Sequence, residues 1–267
     1  MLQKSEIEKI ITNDLVSVLN TKIVYQFSSY EIALEEIILK QSLKFSNPET
    51  FNDPFDCNEK LLKVNIDKKN IANAFAEIQE KYSRQKRREM AKKLNDPNTL
   101  SKLLKSKKKD YKLSCFSKIY NEVLMWSHYA NKHNGICVGF DFPHLYPEKF
   151  ILCPVKYLNE IKLLDGETNT NRILLYWLTT KSERWIYEQE IRAIAQSKNN
   201  EDSEFINYDK DRIKEIIFGC NVKKNEIDNA MSRIKKSELP YDKITFKKMI
   251  VDSETFLLKD EIIKPSA

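Results

Sequence analysis

The 267-residue chain contains four glycines, and the first of them is Gly135. At roughly 7% usage, a chain of this length would contain about 19. Phosphate-binding loops that precede helices need several glycines at fixed spacing, as in G-x-G-x-x-G or G-x-x-x-x-G-K-[ST]. Gly135 and Gly139 form the one close pair, and they complete neither pattern. The sequence therefore excludes nucleotide binding by a glycine-rich loop at a helix N-terminus.

Composition narrows the class of protein further. The chain is 41% hydrophobic and 10% aromatic, which is enough apolar material for a sizeable core. Its first residues, MLQKSEIEKI, lack the apolar region of a signal peptide, and no apolar run is long enough to cross a bilayer. The five cysteines are odd in number and include no C-x-x-C pair, which argues against a disulfide framework. We therefore expect a cytoplasmic protein that does not bind membranes.

Hydrophobic periodicity predicts an α+β fold. Alternating or β-branched segments predict strands at 21–27, 43–46, 113–117, 135–142, 150–157, 187–195, 213–220, 244–251 and 255–258. Apolar residues at helical spacing predict helices at 30–40, 121–131, 171–182 and 225–237. No internal repeat is visible, so we expect a single domain over residues 1–267 with a basic helical insertion at about 64–112.

The net charge of +6 comes from one segment. Residues 81–112 contain thirteen Lys and Arg against three acidic residues, a balance of +10, so the rest of the chain carries −4. Clustered Lys and Arg neutralise phosphates, and the run Lys107, Lys108 and Lys109 is the densest part of the segment. This segment predicts a nucleic-acid or ribosomal target, with a solvated helical face as the alternative.

The segment 187–195 carries the most informative group of charges. On a strand, Glu188, Glu190 and Arg192 share one face, and the two carboxylates lie about 7 Å apart. Facing a cavity, they would repel and raise each other's pKa unless a cation lies between them. Such a pair suits general acid–base chemistry or the stabilisation of a developing positive charge. A solvated strand face with a cross-strand salt bridge is the alternative interpretation.

A second polar group is the loop FNDPFD at residues 51–56. Its two carboxylates, Asp53 and Asp56, suit either a site loop or a structural Asx turn. Together with Asp141 or Glu160, they could supply the ligands of a metal-dependent nuclease. The two histidines at 128 and 133 lack the i, i+4 spacing of a helical metal site, and our first expectation is that no metal is bound.

Several sequence blocks occur in an order that carries a family resemblance. They are LKFS, FNDPFD, SCFS, LMWSHYA, HNGICVGFD, VKY and KSERWIYEQEIR, over roughly residues 22–195. The set resembles an uncharacterised bacterial family of unknown function in which a W-x-x-E-x-E-x-R segment recurs. More distantly, the order of elements and the final Glu-x-Glu strand are similar to ADP-ribosyltransferases. That likeness implies split, mostly antiparallel sheets around a cleft that binds NAD without a glycine-rich loop.

The likeness to ADP-ribosyltransferases implies how NAD, as the substrate, would be bound. Tyr25 or Gln26 would position the dinucleotide, although the Arg or His expected on the first strand is absent. Ser114 and Ser117 would support the nicotinamide ribose. Arg192 would either bind the pyrophosphate or tether a neighbouring glutamate.

The same likeness assigns the chemistry to the two glutamates. Glu190 would hydrogen-bond the ribose and stabilise the oxocarbenium-like transition state, and Glu188 would face the acceptor. Aromatic residues would wall a base pocket unless they belong to the core: Tyr129, Trp126 and Trp185.

The prediction is therefore an NAD-dependent ADP-ribosyltransferase-like enzyme, such as a bacterial toxin or an antiphage defence effector. The basic insertion would recruit its nucleic-acid or protein target. Two alternatives stay open, a metal-dependent nuclease and a non-enzymatic nucleic-acid-binding module.

Overall fold

The computed structural model describes residues 22–58, 63–65, 110–143, 145–146, 149–161, 163–165, 170–197 and 201–263, together with 83, 85 and 89. Most of the predicted basic insertion, including Lys107, Lys108 and Lys109, lies outside these residues. The predicted role of that segment therefore stays a prediction. Its last residue, Lys112, is described and corrects one detail: its side chain is fully buried and donates to Ser197 Oγ at 2.7 Å, so it belongs to no exposed basic surface.

Eleven of the fifteen described strands form one sheet. The strands are β1 (Val24–Ser28), β2 (Ser42–Ser46), β3 (Lys63–Asn65), β4 (Tyr111–Ser117), β5 (Ile136–Phe140), β6 (Leu145–Tyr146), β7 (Phe150–Pro154), β8 (Lys156–Leu158), β9 (Leu163–Asp165), β10 (Thr180–Ser182), β11 (Glu190–Gln196), β12 (Ser203–Asn207), β13 (Ile213–Phe218), β14 (Thr245–Val251) and β15 (Leu258–Ile262). The sheet order is β15-β14-β13-β5-β1-β4-β11-β7-β6, with β2 joining β4 to β12. Apart from the parallel pair β13–β14, its described neighbours are antiparallel, which confirms the predicted α+β class.

The helices cover the two faces of this sheet. They are α1 (Tyr30–Ile32), which continues as a π-helical segment (Ala33–Leu39), α2 (Val123–Tyr129), α3 (Thr170–Thr179) and α4 (Lys224–Lys235). In α4 the buried residues are Ile227, Ala230, Met231 and Ile234, the i, i+3, i+4, i+7 pattern of an amphipathic helix. This spacing places one apolar stripe of α4 against the sheet.

The two faces of the sheet differ in what they bury. One face, which we call the core face, carries a continuous apolar cluster that includes Val24, Phe116 and Val138 and is covered by the π-helical segment and α4. The opposite face, which we call the cleft face, carries two separate clusters. One contains Trp126 of α2, and the other contains Trp177 of α3. Strand alternation assigns each side chain to one face or the other.

A gap interrupts the sheet beside β4. On one edge, β4 forms seven register pairs with β11. On the other edge it meets β1 at one pair, Tyr25 with Ser117, and β2 at one pair, Ser46 with Leu113. In the described part of the chain, residues 114–116 have no strand partner on this second edge. The sheet therefore opens between β1, β2 and β4.

Three elements differ from the prediction, and in two of them pairing with a distant strand decides the structure. The helix predicted over 171–182 ends at Thr179, because residues 180–182 form β10 and pair in parallel with β8. The predicted strand 255–258 is largely a turn in which Asp252 accepts from the backbone N–H of Glu254, and the strand follows at β15. Strand β12 was not predicted, and it pairs with β2 far back in the chain.

Candidate functional site

A cavity of about 420 Å³ occupies the gap between β1, β2 and β4. That volume lies within the range of small-molecule binding sites. Six residues for which the sequence predicted a role in NAD binding or catalysis line it: Tyr25, Gln26, Ser114, Tyr129, Glu188 and Glu190. Residues from four separate parts of the chain therefore meet in one cavity.

Five buried charges, of which all but Arg192 line this cavity, form a group that we call the charge cluster: Asp56, Lys181, Glu188, Glu190 and Arg192. Each of the five side chains belongs to a residue that is less than a tenth exposed. A buried charge is tolerated when it is paired and hydrogen-bonded. The contacts of each member therefore decide how the cluster is stabilised.

Lys181 joins the two glutamates. Its Nζ donates to Glu188 Oε2 at 2.5 Å and to Glu190 Oε2 at 3.0 Å, and it lies 3.8 Å from Asp56 Oδ2. It also lies 4.9 Å from the centroid of the Trp185 ring. Lys181 is thus the cation that the Glu-x-Glu pair requires. Sequence reasoning missed it, although it stands in the KSERW block, because the segment read as the end of a helix.

Arg192 holds the other side of the cluster. It is fully buried; its Nε donates to Glu190 Oε1 at 2.8 Å, and its Nη2 donates to Asp56 Oδ2 at 2.6 Å. Its Nη1 donates to the carbonyl oxygen of Leu178 at 2.7 Å, and the Phe51 ring lies 5.6 Å away. Of the two roles predicted for Arg192, the structure shows the tether to Glu190 and leaves no free donor edge toward the cavity.

The two glutamates have opposite electrostatic settings. Burial raises the pKa of Glu188, and the nearby charge of Lys181 offsets this in part. Burial alone would also raise the pKa of Glu190, but Arg192 and Lys181 hold it below its ordinary value. Glu190 is therefore an ionised carboxylate at neutral pH, and Glu188 is the one that takes a proton more readily.

The predicted arrangement of these glutamates on one strand needs correction. Glu188 is the last residue of a 3-10 helix (Glu183–Glu188), and β11 begins at Glu190. Between them Gln189 has φ 42°, a left-handed conformation that ends the helix. The carboxylates meet through Lys181 and not through strand alternation. The strand face with Arg192 is also buried rather than solvated.

The first-strand residues contribute unequally to the cavity. Tyr25 Oη donates to Glu215 Oε2 on β13 at 3.1 Å, so its hydroxyl already has an acceptor. Gln26 Nε2 donates to Ser114 Oγ at 2.8 Å across the gap between β1 and β4. The buried Oε1 of Gln26 has no hydrogen-bond partner in the described structure. A ligand with a hydroxyl or amide donor would satisfy this oxygen.

Of the remaining predicted binding residues, Tyr129 lines the cavity, whereas Ser117 and Trp126 do not. Tyr129 lines the cavity and its Oη donates to Glu188 Oε1 at 2.7 Å. Ser117 is fully buried, and its Oγ donates to the carbonyl oxygen of Glu188 at 2.7 Å, so it fixes the Glu188 backbone. Trp126 is buried against Phe27 in the core and lies outside the cavity lining.

The acidic residues considered for a nuclease have separate environments. Asp53 Oδ1 accepts from the backbone N–H of Phe55 at 2.9 Å, which is the Asx turn, and Asp56 pairs with Arg192. Asp141 and Glu160 are exposed elsewhere. Among the described residues, no three His, Cys, Asp or Glu side chains are grouped so that they could hold a metal ion.

Comparison with known proteins gives one match. Residues 125–193 match the model of a family described as "Protein of unknown function (DUF2971)". This segment runs from α2 to the fourth residue of β11 and contains Lys181, both glutamates and Arg192. No curated protein matches the chain, and no solved structure does. Within the described residues, none of the helices has the length and apolar character that a bilayer crossing requires.

Proposed function

We propose that this chain is an NAD-consuming ADP-ribosyltransferase-like enzyme whose active site is the cavity at the gap in the sheet. The observation that carries the proposal is a pair of buried glutamates with opposite pKa shifts that line one cavity. Two carboxyl groups driven apart in pKa can divide the tasks of charge stabilisation and proton transfer. The likeness of the order of elements and of the Glu-x-Glu segment to ADP-ribosyltransferases supports the same class of reaction.

The reaction breaks the bond between ribose C1′ and the nicotinamide nitrogen. The electron pair goes to the ring nitrogen, so that nicotinamide leaves neutral, and C1′ accepts a nucleophile that loses a proton. Glu190, kept ionised by Arg192 and Lys181, lies beside the cavity as a permanent anion near the developing positive charge. Glu188, with its raised pKa, takes the proton from the nucleophile.

The charge balance of the cluster supports a cationic reacting group. Three carboxylates against two cations leave a net charge of −1 when all five groups are ionised. The excess falls on Glu188, because it contacts Lys181 alone among the cations of the cluster. A pyridinium ring beside Glu188 neutralises this charge. The unpartnered Gln26 Oε1 adds an acceptor for a ribose hydroxyl or a carboxamide.

Nicotinamide release tests the proposal directly. The protein is incubated with labelled NAD, alone and with RNA, ribosomes or cytoplasmic protein, and nicotinamide and transferred label are quantified. Glu188→Gln and Glu190→Gln are each expected to lower the rate by about 100-fold or more, the scale of a lost acid–base group for Glu188 and of lost charge stabilisation for Glu190. The matched control is Glu35→Gln, since Glu35 pairs with Arg233 on the surface.

Two outcomes would contradict the proposed function. The first is that no nicotinamide is released and no label is transferred with any of these targets. The second is that both glutamine variants, folded by circular dichroism, act at the rate of the control. Transfer of label to RNA would support the nucleic-acid target that is predicted for residues 81–112. Transfer of label to protein would show that the target is a protein instead.

A further inference from the structure

One lysine of the cavity has no part in the charge cluster. Strand β2 alternates so that Leu43 and Phe45 are fully buried, while Lys44 between them is exposed and lines the cavity. Among the described residues, no carboxylate lies within ion-pairing distance of Lys44 Nζ. Lys181, the other lysine of the cavity lining, lies within 4 Å of three carboxylates. Lys44 is thus a cation at the cavity that no carboxylate of the described residues neutralises.

The cavity is acidic near one strand and basic near the other. Glu190 pairs in register with Ser117, where β1 also joins β4. Strand β2 joins β4 at Leu113. The two junctions are four residues apart, roughly 13 Å along the strand. Lys44 lies on β2 within this span. The cavity therefore has the net negative charge of the cluster toward β1 and the positive charge of Lys44 toward β2.

We propose that Lys44 binds a phosphate group of the substrate and so sets the direction in which the substrate lies. The anionic diphosphate lies toward β2, and the cationic nicotinamide ring lies toward Glu188. Ser46, which pairs with Leu113 at the β2–β4 junction, also lines the cavity and supplies a further hydrogen-bond donor. This inference rests on the proposed function and adds a substrate requirement, a phosphate on the nucleoside. The opposite direction would place phosphate against the net negative cluster.

The test compares two substrates that share one glycosidic bond. NAD carries the diphosphate, and nicotinamide riboside lacks it. For Lys44→Gln, KM for NAD is expected to rise roughly five- to tenfold, the scale of one exposed charged contact, with kcat little changed. KM for nicotinamide riboside should not change. Lys44→Arg should keep most of the affinity, and Lys40→Gln is the matched control, because Lys40 lies outside the cavity and pairs with Glu36.

Failure of this inference is distinguishable from failure of the proposed function. Equal changes for both substrates, or no change for NAD, would overturn the phosphate site while leaving the reaction intact. Binding of ADP, measured by calorimetry, tests Lys44 without turnover. If wild type releases no nicotinamide but binds ADP and Lys44→Gln weakens that binding by the same factor, the phosphate site stands and the reaction falls. If Lys44→Gln binds ADP with the same affinity as wild type, the phosphate site is overturned in either case.

Discussion

The two faces of the sheet solve the problem of burial in different ways. The core face is covered by one continuous apolar cluster, in which Phe140 contacts Phe116 and Tyr208. The cleft face carries two apolar clusters, around Trp126 and Trp177. It also carries the charge cluster, two of whose members, Glu190 and Arg192, lie on β11. The first arrangement is held by the removal of apolar surface from water. The second combines two separate apolar clusters with a group of paired, buried charges.

This difference teaches where a cavity can form. Away from the gap, neighbouring strands pair over long registers, such as the five pairs of β1 with β5. Beside β4, where polar side chains such as Gln26 and Ser114 replace apolar ones, the register shrinks to single pairs. The charge cluster lies beside this gap, and its members are held by ion pairs with one another. The candidate site therefore lies where polar and charged contacts replace apolar packing.

The largest expected effect comes from removing Arg192, the fully buried cation of the charge cluster. Arg192→Met keeps roughly the same side-chain volume but removes one of the two cations of the cluster, which leaves the buried Glu190 and Asp56 with Lys181 alone. Breaking a buried ion pair in this way costs about 3–5 kcal/mol of the free energy of unfolding. Urea denaturation at neutral pH measures this loss.

A matched change on the core face sharpens the comparison. Ile191, the preceding residue of the same strand, is fully buried in the core cluster. Ile191→Leu conserves volume and charge, and it should cost less than about 1.5 kcal/mol. Equal losses for Ile191→Leu and Arg192→Met would contradict the view that the two faces are stabilised by different forces.

A middle-sized effect concerns how stability depends on pH. Because burial raises the pKa of folded Glu188, the folded state binds its proton more tightly than the unfolded chain, whose pKa is about 4.3. Wild type therefore loses this contribution as the pH rises above about 4.3. Arg192 and Lys181 overcome the effect of burial and lower the pKa of Glu190, so its contribution is lost as the pH falls below about 4.3.

Substitution by glutamine separates these two slopes. The free energy of unfolding is measured from pH 3 to 8 for wild type, Glu188→Gln and Glu190→Gln. Relative to wild type, Glu188→Gln should become more stable as the pH rises from 4 upward. Glu190→Gln should approach wild type as the pH falls from 4 to 3. Parallel curves for the two variants would show that Lys181 and Arg192 do not distinguish the glutamates.

The sequence predicted elements where local pattern decides and failed where distant partners decide. Strand β4 and helix α4 alternate at their own periods, and both lie close to where the pattern placed them. Strand β10 forms because Thr180 pairs with Lys156, a contact that no local pattern records. Glu188 left the predicted strand for a similar reason, since Ser117 holds its carbonyl oxygen from another strand.

The candidate site was predictable in part. The sequence indicated that two glutamates on a buried face need a cation, and it indicated Arg192 as a tether. It did not indicate Lys181, because the segment before Trp185 has apolar residues at helical spacing. It could not give the partner of Asp56 either, since residues 56 and 192 are far apart in the chain and meet only once β11 and α3 are packed.

The smallest effect tests the gap itself. Gln26 and Ser114 form a single hydrogen bond across it, with Gln26 Nε2 donating to Ser114 Oγ at 2.8 Å. A double-mutant cycle with Gln26→Ala and Ser114→Ala measures the coupling of the two side chains. One such bond should give a coupling of about 0.5–1.5 kcal/mol in the free energy of unfolding.

The sign and size of this coupling report on how the gap is held. A value in that range means that the two side chains brace β1 against β4 beyond the one backbone pair at Tyr25 and Ser117. A coupling near zero would mean that water replaces the bond without loss, and that the charge cluster alone keeps the strands apart. The cycle also needs an internal check, because each single variant leaves one polar group at a cavity that water can enter. Agreement of the coupling between urea and thermal unfolding provides it.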